Sequence, residues 1–154
     1  MSPYLNLLEK FEPYYFMTIT LVPHNHSYDP VKWNAMFKSK HYNMAFHIKN
    51  EIDRALGNRK NKKDDWFPYA IVSENKNKGG NIIPYHFHGI FYKSKNCNII
   101  DERTKTIENR IIKYLNSKGF KHAVCEIEKC ETKNIVNYVC KYLTQSDNIV
   151  TSGL

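Results

Sequence analysis

Pro84-Tyr85-His86-Phe87-His88-Gly89-Ile90-Phe91 is the stretch on which the reading of this chain turns. On a β-strand, residues two apart point to the same face. His86 and His88 therefore stand side by side, while Tyr85, Phe87 and Phe91 point the other way. The aromatic side is a natural core face. The imidazoles are left on the opposite surface as neighbouring nitrogen donors, and neutral imidazole is a common metal ligand. A second His-x-His, His24-Asn25-His26, follows Pro23 among polar residues with no apolar alternation to set its register, and it reads as loop.

Working upstream, Trp66–Glu74 reads as another strand, joined to Tyr85–Tyr92 by a long connection over residues 75–83 that contains Gly79-Gly80. The two strands form an antiparallel hairpin. Ala70, Val72 and Glu74 share one face by parity. Whether that is the histidine face depends on the turn, because one residue of slip inverts a strand. A turn centred near Asn81 sets Glu74 opposite His88, whereas one centred between Gly79 and Gly80 sets it on the wrong face.

Further out, Phe16, Thr18 and Thr20 alternate with Met17, Ile19 and Leu21 in a strand over Tyr14–Val22. Residues 43–56 place Ala45, Ile48, Ile52, Ala55 and Leu56 at helical spacing, with Gly57 as the stop. Downstream, Asp101–Lys118 is a second amphipathic helix, with Ile107, Ile111, Ile112 and Leu115 on one side and Gly119 ending it. His122–Lys129 reads as a short strand and Asn134–Thr144 as a final helix. The order β-α-β-β-α-β-α predicts an α+β fold: a central antiparallel sheet of the split β-α-β type (ferredoxin-like, RRM-like) with packed helices. No repeat or linker divides the chain, so residues 1–154 are expected to form one domain.

The 154 residues are 42% hydrophobic and 14% aromatic, the composition of a folded globular protein. Apolar runs fall far short of the ~20 residues of a membrane helix. The N-terminus lacks the layout of a signal peptide, so an intracellular setting, the cytoplasm of a host cell, is expected. Four cysteines, Cys97, Cys125, Cys130 and Cys140, form no Cys-x-x-Cys pair, which favours free thiols over a disulfide or zinc framework. The formal charge is +8. Its excess gathers in expected loops, at Arg59, Lys60, Lys62 and Lys63, at Lys76 and Lys78, and at Lys93 and Lys95. Such loops suit phosphate backbones.

The final expected helix carries Tyr138-Val139-Cys140-Lys141-Tyr142. Residues three and four apart share a helix face, so Tyr138, Lys141 and Tyr142 cluster, while Ile135, Val139 and Leu143 are spaced to meet the core. A tyrosine becomes a usable nucleophile once its deprotonation is assisted, and a lysine one turn away can stabilise the phenolate or a phosphate.

Together these pieces resemble the HUH endonuclease superfamily, in particular the rolling-circle replication initiators of viruses, phages and plasmids. Phe16-Met17-Thr18-Ile19-Thr20 resembles the family's first motif, His86-Phe87-His88 with Glu74 upstream its metal motif, and Tyr138-Val139-Cys140-Lys141 its Tyr-x-x-Lys motif. The resemblance covers about residues 14–145. It implies a site-specific nickase of single-stranded DNA that also rejoins strands, forming a 5′-phosphotyrosine link through Tyr138. It further implies Mg²⁺ or Mn²⁺ on His86, His88 and Glu74, with Lys141 positioning the tyrosine or the ion. The substrate would be an origin hairpin, with the helicase supplied separately, and a homodimer fits the resemblance. Tyr142 is a candidate second tyrosine, since some members use two, or equally a core residue.

Three other readings compete. A single-tyrosine transposase of the same superfamily tends to carry Gln where this chain has Lys141. A non-catalytic RRM-like nucleic-acid-binding domain accounts for charge and aromatics but not for the coincidence of His-x-His with Tyr-x-x-Lys. A zinc-binding structural domain is weaker still, because the cysteines are poorly spaced.

Overall fold

The computed structural model describes residues 12–21, 41–58, 66–76, 82–95, 97–130 and 149–153, with the backbone alone at 41–43, 74–76, 82–85 and 149. In chain order the elements are β1 (Pro13–Thr20), α1 (His41–Leu56), β2 (Tyr69–Lys76), β3 (Ile82–Tyr92), α2 (Cys97–Ser117), β4 (Val124–Lys129) and β5 (Ile149–Ser152). The strands form one sheet in the order β4-β1-β3-β2-β5, and every pairing is antiparallel. The first four strands with α1 and α2 make the expected split β-α-β arrangement. β5, added outside β2, was not anticipated. The expected helix Asn134–Thr144 lies outside the described residues.

Alternation along each strand decides which face meets the helices. Tyr15, Met17 and Ile19 of β1, Phe87 and Phe91 of β3, and Tyr69 and Ile71 of β2 share one buried cluster with Ile48 and Ile52 of α1 and Ile107, Ile111 and Leu115 of α2. Full burial of each aliphatic side chain contributes roughly 1.5–3 kcal/mol. α2 is longer than its expected span, because Ile100, about two turns before Ile107, is buried too and continues the stripe towards Cys97.

Gly119 ends α2 at positive φ. Phe120 N–H donates to Leu115 O and Gly119 N–H to Asn116 O, the paired bonds of a Schellman cap. The buried side chains of Phe120 and Leu115 close it from the core side. β2 begins at Tyr69 rather than Trp66. Pro68 has no N–H to give a ladder, although its carbonyl still accepts from Tyr92 N–H.

Gly89 faces the helix side between the neighbouring strands, paired with Met17 and Ile71. A Cβ there would lie 2.8 Å from Met17 Cε and 3.4 Å from Ala70 O. The Gly89→Ala protein is expected to lose about 1–2 kcal/mol through overpacking, read by denaturant unfolding. An unchanged midpoint would show that Met17 gives way freely.

Candidate metal centre

β3 is the middle strand of five, and its neighbours set what surrounds each histidine. His88 pairs with Thr18 of β1 and Val72 of β2, while His86 pairs with Thr20 and Glu74. Position 74 therefore lies directly across from His86. That pairing falls between the two registers weighed above, and by parity it keeps position 74 on the histidine face. The strands also run further into the connection than expected, with Lys76 pairing with Ile82 after an irregularity.

The imidazoles of His86 and His88 are adjacent, edge to face, with ring centroids 5.0 Å apart. Phe16 of β1 stacks on His88 at 5.6 Å, nearly parallel. The histidine face is not the open surface that alternation implied. His88 is only 5% exposed, and Ala70, Val72, Ile90 and Tyr92 are buried on the same face. His86 is half-buried. Burial, then the neighbouring His86, pushes the His88 pKa down to about 4. At neutral pH this ring is uncharged, the form that can ligate a metal.

The donor chemistry fits a divalent ion in kind. Two adjacent imidazoles supply nitrogen, and a carboxylate residue stands at the next register position, a mixed set suited to a first-row metal with open positions. Among the described side chains, no group of three or more His, Cys, Asp or Glu is gathered to hold a metal. The two histidines are thus the described part of the candidate centre, with position 74 placed by its backbone pairing.

Tyr138, Lys141 and Tyr142 lie outside the described residues, as do Arg59, Lys60, Lys62, Lys63 and Lys78. Lys76 closes β2. Lys93 and Lys95 are exposed, and Lys93 is held by Glu12 at 2.7 Å, so part of its charge is already matched. The sequence places Thr18 and Thr20 in the first strand and in the stretch that resembles the family's first motif, without tying them to the histidines. Register makes them the β1 neighbours of both histidines, and the period-2 run Phe16-Thr18-Thr20 was the clue to it.

Among the described residues, no helix is long and apolar enough to cross a membrane. Cys97, Cys125 and Cys130 are free thiols, and burial raises Cys125 to about 12 and Cys130 to about 11. Neither is poised as a thiolate nucleophile.

No family model matches the chain, and no curated protein matches it. Among solved structures it is similar to a chain described as an amidohydrolase/peptidase of Burkholderia cenocepacia, at 12% identity and a TM-score of 0.36, covering 86% of this chain and 32% of that one. It is also similar to a hydantoinase/carbamoylase family amidase from Burkholderia ambifaria, at 10% identity and a TM-score of 0.34, with the same coverage. The chain spans about a third of the length of these two structures, and likeness this low carries neither fold nor activity across.

Proposed function

We propose that this protein is a divalent-metal-dependent nickase of single-stranded DNA that cuts and rejoins through Tyr138 and so starts rolling-circle-type replication. The observation that carries the proposal is the register of the central strands, which sets His86 beside His88 and across from Glu74. The antiparallel β4-β1-β3-β2 order and the Tyr-x-x-Lys resemblance at Tyr138 and Lys141 support it.

In this reading the Tyr138 phenol oxygen attacks the scissile phosphorus. The bond to the 3′ oxygen breaks, that oxygen takes up a proton, and the 5′ phosphate stays on the tyrosine. The reverse attack by a 3′-hydroxyl rejoins the strand. Lys141 steadies the phenolate as its proton leaves. Mg²⁺ or Mn²⁺, when bound, supplies positive charge at the phosphate oxygens. His86 and His88 would hold it together with Glu74, His88 as the uncharged imidazole that its burial favours.

The test is a covalent protein–DNA band on a denaturing gel. Labelled single-stranded DNA carrying an origin-type hairpin is incubated with the protein in Mn²⁺ or in EDTA, with Tyr138→Phe alongside. The expected result is a band that needs Mn²⁺ and is absent from the variant. A band that persists in Tyr138→Phe would remove the tyrosine from its role. Tight binding without any band would leave a non-catalytic RRM-like module instead.

A further inference from the structure

The two helices and the sheet place a basic surface at the same end of the molecule as His86. β1 ends there at Thr20, which pairs with His86 on one side and with Val124, the first residue of β4, on the other. α2 also finishes there, and its cap turns directly into β4. Residues 109–125 contain no Asp or Glu. Lys113, Lys118 and Lys121 in this stretch are all exposed. By contrast the first half of α2 mixes Asp101, Glu102 and Glu108 with Arg103 and Lys105.

Aromatic rings are interleaved with these cations. Lys118 Nζ sits 5.9 Å from the Tyr114 ring centroid, and Tyr114 meets His47 of α1 at 5.6 Å. Phe46, next to His47, is 46% exposed, unusual for a large apolar ring. Cations with accessible rings form the surface that holds single-stranded nucleic acid, by phosphate contacts and base stacking.

Charge along the edge strand decides how a strand could reach it. On the histidine face β4 presents Val124, Glu126 and Glu128, level with Thr20, Thr18 and Phe16. The two carboxylate residues are exposed and oppose a phosphate backbone in their rows. Val124 is uncharged and 41% exposed. It lies two strand spacings from His86, about 10 Å.

We infer that single-stranded DNA lying on the histidine face leaves it across the Val124 row and is gripped on the helix side by Lys113, Lys118 and Lys121, with Phe46 and Tyr114 as stacking rings. The course of the strand rests on the nickase reading, whereas the binding itself requires no cleavage. The patch would extend the bound length beyond the site and so select substrates with an unpaired flank next to the cut.

The test is fluorescence anisotropy in EDTA, where no adduct can form, with labelled oligothymidylates of about six and about twenty nucleotides. Lys113→Glu/Lys118→Glu/Lys121→Glu is expected to weaken binding of the long oligonucleotide on the order of 10-fold or more. It should also flatten the salt dependence by about 2 in slope, three contacts at ~0.7 each, while the short oligonucleotide changes far less. Val124→Glu, a surface substitution that spares the lysines, should weaken the long oligonucleotide several-fold. Unchanged thermal melting would establish that both variants fold. No loss with the long oligonucleotide, or equal loss at both lengths, overturns the inference. Because this readout is equilibrium binding without metal, its failure is distinct from a missing covalent band.

Discussion

His86→Ala and His88→Ala are both expected to abolish Mn²⁺-dependent adduct formation, and to separate on the stability of the metal-free protein. Each removes one of two adjacent nitrogen donors, so Mn²⁺ affinity by titration calorimetry should fall on the order of 100-fold or more, at least as much as is typical when a ligand's supporting partner is lost. His88 is buried and stacked on Phe16, whereas His86 is half-buried. Truncating His88 leaves a void on the sheet and should cost about 2–3 kcal/mol. The melting temperature would then fall by several degrees, at about 2–4 °C per kcal/mol for a chain of this size. His86→Ala should melt within a degree or two of the wild type. Retained Mn²⁺ affinity in both variants would take the histidines out of the centre, whatever happened to activity.

A second large effect is expected at Asp53, far from any proposed chemistry. This α1 carboxylate is 4% exposed. It accepts hydrogen bonds from the Tyr69 hydroxyl of β2, from Lys49 Nζ at 2.7 Å, from Asn58 Nδ2 at 3.1 Å and from the Ser152 hydroxyl of β5 at 3.5 Å. Asn58 Oδ1 in turn accepts from Phe67 N–H at 3.1 Å, which ties the end of α1 to the approach of β2. Burial, then the charge of Asp53 and its hydrogen bond, raises the Tyr69 pKa well above the usual phenol range, so Tyr69 remains a donor.

Asp53→Ala would leave the buried Tyr69 hydroxyl and Asn58 amide without this acceptor and strip the ion pair from Lys49. Removing one member of such a buried network costs about 3–5 kcal/mol, or on the order of 10 °C in melting temperature. Asp53→Asn keeps an acceptor and should lose less. The measurement is thermal unfolding followed by circular dichroism. A fall of less than about 1 kcal/mol in Asp53→Ala would mean that the four donors find water or one another instead.

Periodicity alone makes most of the framework legible in the sequence. The run Phe16 to Leu21 has period 2, Ala45 to Leu56 has helical spacing, and Gly57 and Gly119 stand where the helices stop. Each is a local property, because a strand's alternation or a helix's stripe is written in consecutive residues. The histidine pair was legible for the same reason: two residues apart on one strand is a geometric fact about neighbours.

Other features were not local. β5 is four residues long, too short for its alternation to stand out, and it is held in place by pairing with β2 and by the reach of Ser152 to Asp53. The face of Glu74 depended on how many residues the hairpin turn consumes, and only the pairing with His86 decided it. Alternation could say that His86 and His88 share a face, but not that the face is covered. Burial is set by what packs on a surface from elsewhere in the chain. The sequence by itself therefore determined β1 to β4 and the two described helices, the central hairpin and the side-by-side histidines. The tertiary structure alone decided the register that brings position 74 to His86, the burial that keeps His88 neutral, and the meeting of a basic helix end with the edge of the histidine row, because each is a contact between segments far apart in the chain.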